Sequence, residues 1–362
     1  MAKNIYTAPG IFTLESGAQL ASLEIAYHTF GTLNAEQNNV IWVCHALTAN
    51  SDVFDWWPGL FGTDACFDPE RYFIVCANNL GSCYGTTGPL SINPYAGQPW
   101  FSHFPHITIR DMVAAHDLLR QHLGIKKIHV AIGGSQGAQQ LVEWNILHPS
   151  VFENTILIAG NAKHSAWGIA FNESQRLAIK ADRTYYANSL NGGEKGLAAA
   201  RSIALLSYRH YGSYNDAQQE QDNETTNDFK ASSYQRYQGQ KLVDRFNAYS
   251  YVTLANAMDA HNVGRKRSSV ETALNAITAR TLVIGISSDQ LFPPQEQLFM
   301  ARHIKASQAR IIDSIYGHDG FLLETKQLES LISEFLKPET GPSKNVTGIG
   351  IVKQPNNNTL TH

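Results

Sequence analysis

The sequence has little cysteine and no excess of positive charge. Its four cysteines, Cys44, Cys66, Cys76 and Cys83, include no C-x-x-C pair, and no group of histidines stands at metal-ligand spacing. That excludes a disulfide scaffold and a zinc ribbon, and no metal is expected. Lysine and arginine together number 28 against 31 acidic residues, a net charge of -3. The basic stripe of a nucleic-acid-binding or membrane-surface protein is therefore missing. No apolar run approaches the roughly 20 residues of a membrane span. The opening segment MAKNIYTAPG lacks the apolar core of a secretion signal, so a cytoplasmic location is expected. There is no G-K-[ST] and no G-x-G-x-x-G, which removes the common phosphate-cradling loops.

What is present is an alternation of short apolar strands with helices. Residues 10–30 alternate around ESGAQ and read as an antiparallel hairpin. VIWVC (40–44), YFIVCA (72–77), IHVAI (128–132), TILIAG (155–160), TLVIGIS (281–287) and ARIIDSI (309–315) read as strands. Cys44 and Cys76 fall inside such runs and are expected to be buried small hydrophobes. Between the strands, Ile109, Met112, Val113, Leu119 and Leu123 recur at helical spacing behind Thr108, a good N-cap. GAQQLVEWNILHP, PPQEQLFMARHI and a last segment carrying Leu322, Leu328, Leu331, Ile332 and Phe335 read as further helices. This rhythm predicts an α/β fold, a mostly parallel sheet with helices on both faces.

Three segments follow from the pattern. Residues 1–164 and 276–337 are expected to form the α/β core, and 165–275 a helical insertion. Residues 338–362, polar and rich in Gly, Pro and Asn, are expected to form a disordered tail. Within the insertion, YGSYNDAQQEQDNETTNDF is expected to be a mobile loop.

The chemistry concentrates at GGSQGAQQ. Gly133-x-Ser135-x-Gly137 fits G-x-S-x-G, a weak pattern alone, since a glycine-bracketed serine also occurs in ordinary turns. Here a strand precedes it and a helix follows, the setting in which a serine on a strained corner projects above a sheet. Serine needs a base, and the base an orienting acid. In this setting the order along the chain is serine, acid, histidine. Asp289, ending the strand in TLVIGISSDQLFPP, and His318, in the loop IIDSIYGHDGFLLE, satisfy that order. Asp289 taken alone would read as a helix N-cap and His318 as a turn residue. The backbone N–H groups of Gln136 and of Leu47, in VIWVCHALTANSD, are the expected oxyanion donors. His45 is expected to shape that loop and not to act as a second base.

These blocks, with WWPGLFG, RYFIVCANNLGSCYGTTGPLSINP, FPHITIRDMV, SAWGIAFNESQRLAI and RYQGQKLVDRFNAYSYVTLANAMDAHNVGR, resemble the homoserine O-acetyltransferase family from about residue 10 to residue 336. The resemblance implies an α/β-hydrolase core with a helical lid, and a homodimer formed through that lid. It also implies acetyl transfer from acetyl-CoA, a co-substrate and not a bound cofactor, to the hydroxyl of L-homoserine in methionine biosynthesis. The family elbow commonly continues with Met and two Gly, where this chain has Gln136 and Ala138.

Further roles follow from the resemblance. Arg201, in GLAAARSIALLSY, stands where similar proteins bind the substrate carboxylate, a partner that suits a planar guanidinium. Tyr208, seven residues on, would add a hydroxyl, and Asp319 would hold the substrate ammonium. Leu291 stands in a segment where succinyl-using relatives carry an arginine. It is expected to line the acyl pocket and favour an acetyl donor over a succinyl one. A carboxylesterase of the same fold and a serine O-acyltransferase are the alternative readings. The L-homoserine and L-serine acceptors differ by one methylene, worth only about 1–3 kcal/mol in a pocket.

Overall fold

The computed structural model of the protein describes residues 3–337 and 349–352. Nine strands form one sheet: β1 (Asn4–Ala8), β2 (Leu23–Phe30), β3 (Val40–Cys44), β4 (Phe73–Ala77), β5 (Ile128–Gly134), β6 (Phe152–Ile158), β7 (Arg280–Ile286), β8 (Ser307–Ile312) and β9 (Ile349–Val352). Their spatial order is β1-β2-β4-β3-β5-β6-β7-β8-β9. The pairs β1–β2 and β2–β4 are antiparallel, and every later pair is parallel. Both faces of the central strands are covered, which is why β3 is buried at all five positions and reads as a continuous apolar run.

The N-terminal hairpin is smaller than the alternation suggests. Phe12–Thr13 pairs with Gln19–Leu20, and the long alternating run of β2 joins the main sheet instead. The tail expected from 338 onward lies outside the described residues except for β9, which pairs parallel with β8. Disorder does not hold for those four residues, whose sequence Ile-Gly-Ile-Val is rich in the β-branched residues that suit a strand.

On one face of the sheet, Trp42 of β3 meets Trp144 edge-on, ring centroids 5.1 Å apart. On the other, Trp57, Phe61, Phe67 and Phe321 pack with Leu328, Leu331, Ile332 and Phe335. Helix α1 (Ile109–His122) opens with a capping box: Thr108 accepts from the Asp111 N–H while the Asp111 carboxylate accepts from the Thr108 N–H. Helix α2 (Gln136–Leu147) follows β5 directly.

Between β6 and β7 the chain leaves the sheet for α3 (Ala166–Ala181), α4 (Glu194–Tyr208), α5 (Tyr211–Gln218), α6 (Lys230–Val243), α7 (Ala248–Asp259) and α8 (Val270–Asn275). Ser165 and Asn247 cap α3 and α7 through their side chains. Helix α4 packs between α3 and α6. Part of the polar tract expected to be a loop is thus helical. His210 caps α5 by accepting from the Gly212 N–H, and the helix buries none of its side chains, so no apolar periodicity announces it. The chain returns to the sheet at Arg280 and closes the core with α9 (Pro294–His303) and α10 (Thr325–Leu336).

Candidate active site

The site is built at the carboxyl ends of the parallel strands, where open α/β sheets place their ligands. In register, Cys44 of β3 stands beside Gly133 of β5, and Leu157 and Ile158 of β6 stand beside Gly133 and Gly134. Ser135 follows at once, with φ 57° and ψ -124°, a conformation L-residues rarely adopt. The surroundings enforce it. A Cβ on Gly133 would stand 2.6 Å from the Gly137 carbonyl carbon, and one on Gly137 would stand 2.0 Å from the Cys44 carbonyl oxygen. Only glycine lets strand and helix approach this closely. The Ser135 N–H donates to the Ile158 carbonyl at 2.9 Å, which pins the corner to β6.

The Ser135 hydroxyl lies 2.9 Å from His318 Nε2, and His318 Nδ1 lies 2.7 Å from an Asp289 carboxylate oxygen. The second carboxylate oxygen accepts from the N–H groups of Leu291 and Phe292 at 2.8 and 2.9 Å. Asp289 is thereby fixed in rotamer and in its acceptor role. The Phe292 ring stacks on the His318 imidazole at 5.1 Å. The Gly317 N–H donates to Ser288 Oγ at 3.0 Å, tying the histidine loop to the aspartate loop. Ser135, Asp289 and His318 are all buried. Burial by itself depresses the His318 pKa. The charge and hydrogen bond of Asp289, helped by Asp319, outweigh it and hold the imidazole above its ordinary value. The arrangement is a nucleophile, a base and an orienter in hydrogen-bond contact, brought together from sequence positions 183 and 29 residues apart.

Above Ser135 opens a cavity of about 420 Å³. Leu47 lines it, and the Gln136 N–H belongs to the first turn of α2, where N–H groups have no intrahelical partner. His45 is neutral and fully engaged: Nδ1 donates to the Ala46 carbonyl at 2.8 Å and Nε2 accepts from the Asn79 N–H at 3.1 Å. Burial lowers its pKa to about 4. It shapes the Leu47 loop and cannot serve as a base.

The helical insertion supplies the opposite wall, with Arg201, Tyr208, Lys241 and Arg245. The Arg201 guanidinium sits 5.5 Å over the Tyr208 ring. Among the described residues no carboxylate lies within ion-pair distance of it. Tyr208 in turn packs its ring 5.8 Å from that of His318. Asp319 lines the cavity and pairs with Arg209 at 3.2 Å, so one of its oxygens is already engaged. Leu291 departs from expectation. Its side chain is buried beside the triad and is not among the residues lining this cavity, and its N–H is bonded to Asp289. Trp56, Phe321 and Leu322 supply the apolar lining instead.

Several contributors are not singled out by the sequence pattern. The Gln136 side chain accepts from Asn79 Nδ2 at 3.2 Å and donates to the Leu254 carbonyl at 3.3 Å, linking elbow, Asn79 loop and α7. The residue that departs from the family pattern thus has its polar ends satisfied in a buried place. Glu296 accepts from Asn161 at 2.9 Å behind the triad. Burial raises its carboxyl to about 7, the Asn161 bond opposing and the Asp289 charge reinforcing the rise. Both side chains are joined by partners distant in sequence, so no local spacing marks them.

A family model for the alpha/beta hydrolase fold matches residues 39–325. A homoserine O-acetyltransferase of Cyclobacterium marinum is 47% identical over 341 residues, spanning 94% of this chain and 97% of that one. The chain belongs to the homoserine O-acetyltransferase family of α/β hydrolases. Among solved structures, a homoserine O-acetyltransferase from Bacillus anthracis superposes with a TM-score of 0.85 at 24% identity, covering 94% of this chain and 99% of that one. Esterase E22 superposes with the same TM-score and identity, covering 93% and 100%. At that identity the two structures speak for the fold alone, which a transferase and an esterase share.

Proposed function

We propose that the protein is a homoserine O-acetyltransferase that moves an acetyl group from acetyl-CoA to the hydroxyl of L-homoserine through an acyl-Ser135 intermediate. The observation that carries the reading is an arginine with no carboxylate partner among the described residues, Arg201, on the wall of the cavity that ends at a hydrogen-bonded Ser135–His318–Asp289 triad. An esterase acting on neutral esters has no use for that charge, whereas an amino-acid acceptor brings a carboxylate to meet it.

The steps follow from the positions. His318 Nε2 takes the Ser135 proton as the oxygen attacks the thioester carbon, and Asp289 stabilises the imidazolium. The Leu47 and Gln136 N–H groups receive the oxyanion. The tetrahedral adduct collapses, the C–S bond breaks, and the thiolate leaves with the His318 proton. Homoserine then enters with its carboxylate on Arg201, steadied by the stacked Tyr208. Its ammonium is held by the Asp319 oxygen that Arg209 does not engage. His318 takes the acceptor's hydroxyl proton, the acyl group moves to that oxygen, and the proton returns to Ser135. Two half-reactions on one serine give ping-pong kinetics.

The insertion leaves Trp167, Tyr186, Leu190 and Leu206 exposed, which supports a homodimer formed through it. The deciding assay follows thiol release from acetyl-CoA with and without homoserine, and identifies the product by mass. Homoserine-dependent release with O-acetylhomoserine formed supports the reading. Release that ignores homoserine and yields acetate makes the protein a carboxylesterase, and a preference for serine makes it a serine O-acyltransferase.

A further inference from the structure

The derived reaction uses Arg201 and leaves two other cations on the cavity wall without a task. Lys241, in the last turn of α6, and Arg245, just beyond its end, stand four residues apart, one helical turn. Both are exposed, whereas Ser135 is only 6% exposed, so they belong to the outer part of the same cavity. Among the described residues Lys241 has no ion-pair partner. Among those residues Arg245 is gripped by neutral acceptors only: the Thr48 carbonyl at 2.5 Å and the Tyr84 hydroxyl at 2.8 Å. Its geometry is fixed while its charge stays unneutralised. Two acids line the cavity, Asp55 and Asp319, and the second is already paired with Arg209.

We infer that Lys241 and Arg245 take the phosphate groups of the acyl donor, holding a phosphomonoester or diphosphate at the cavity mouth while its thioester lies over Ser135. This rests on the acetyl-CoA reading above. An acceptor amino acid carries one carboxylate, and Arg201 meets it. Two further cations at the mouth suit a ligand with several negative charges, which they attract and orient. A guanidinium already immobilised by two hydrogen bonds has little left to lose in ordering on a ligand. Arg245 also holds Thr48, next to Leu47, so its loss would disturb the oxyanion loop as well. Lys241 has no such second contact and is the cleaner probe.

The test compares acetyl-CoA with S-acetylpantetheine, the same thioester without phosphates, at saturating homoserine. Wild-type protein is expected to prefer acetyl-CoA, and the preference is expected to shrink as salt is raised. Lys241→Gln is expected to lose about tenfold or more of that preference, chiefly through KM for acetyl-CoA. Equal losses on both donors, or a preference that the variant does not change, overturns the inference. Calorimetric titration of adenosine 3′,5′-bisphosphate gives a readout free of turnover. About tenfold weaker binding to Lys241→Gln than to wild type supports the phosphate site, and equal binding overturns it. Should wild type release thiol from neither donor, the transferase reading falls, and the titration still decides the phosphate site.

Discussion

Gly317 and Tyr208 meet backbone to backbone: a Cβ on Gly317 would stand 2.6 Å from the Tyr208 carbonyl oxygen. The residue that precedes the catalytic base is thus in contact with the last residue of α4, the helix that carries Arg201. Gly317 also has φ 63°, a left-handed conformation in which a side chain is strained. His318 and the helix that carries Arg201 are held in one register by a residue without a side chain.

Gly317→Ala should therefore move His318 and α4 apart. A displacement near 1 Å at a reacting group can cost about a hundredfold in rate. We expect kcat to fall ten- to a hundredfold, roughly, for acetyl transfer and for hydrolysis of a small neutral ester alike. The backbone strain should cost about 1–3 kcal/mol of stability, visible in thermal unfolding. Wild-type rates in this variant would show that the contact positions nothing.

Ser135→Ala should abolish acyl transfer, by roughly 10⁴-fold or more, and leave the fold intact. The corner is set by Gly133, Gly137 and the Ser135 N–H bond to Ile158, none of which involves the hydroxyl. Incubation with acetyl-CoA followed by intact-mass measurement should show an acetyl adduct on wild type and none on the variant. Near-normal turnover by Ser135→Ala would end the acyl-enzyme mechanism.

Activity should fall on the acid side as His318 takes up a proton, since only the neutral imidazole can act as base. Asp289 and Asp319 hold its pKa above the usual value, so the acid limb of kcat/KM should lie above about pH 6.5. Asp319→Asn removes one of the charges that raise it, so the limb should move to lower pH. A small neutral ester is the proper substrate for this profile, because it does not use Asp319 for binding. A limb that stays in place would mean that Asp319 acts on the acceptor alone.

Much of this arrangement is legible in the sequence because it is local. The strands of the parallel sheet are short apolar runs bounded by turns, and Thr108 with Asp111 announces a helix start. G-x-S-x-G between strand and helix, then Asp289, then His318, is an ordered pattern along one chain. What escapes is whatever depends on partners far apart. Gln136 meets Asn79 and Leu254, and Arg245 meets Thr48 and Tyr84, through contacts that no spacing encodes. Helix α5 escapes because it buries nothing and so leaves no periodicity. The neighbourhood of Leu291 to Asp289 suggests the acyl pocket, yet the side chain is buried and does not line the cavity.

That placement changes what Leu291→Arg should do. An arginine at an exposed pocket wall would change donor choice. At a site as buried as Leu291 it places an unpaired cation beside the triad, at a cost of several kcal/mol. The Leu291 N–H also holds Asp289. We expect thermal stability and transfer from acetyl-CoA to fall together, with no gain in transfer from succinyl-CoA. A variant that folds well and accepts succinyl-CoA would return Leu291 to the acyl pocket.

Arg201→Ala separates the acceptor from the donor. The guanidinium rests on the Tyr208 ring and lines the cavity with no carboxylate partner among the described residues. Its removal leaves no protein charge unpaired. On the proposed reading it strips the partner of the acceptor's carboxylate, and losing one side of a desolvated charge pair costs about 2–5 kcal/mol. We expect kcat/KM for homoserine to drop at least about thirtyfold, the equivalent of roughly 2 kcal/mol. KM for acetyl-CoA and hydrolysis of a neutral ester should change little, because neither substrate offers a carboxylate at that place. Arg201→Lys should recover only part of the loss, since an ammonium keeps the charge but not the planar two-point geometry. The measurement is a full two-substrate analysis of wild type and both variants, with thermal unfolding alongside. A matched fall for homoserine, acetyl-CoA and the neutral ester, with a lowered unfolding temperature, would make Arg201 a prop for α4 and Tyr208 and leave the acceptor carboxylate without its assigned partner.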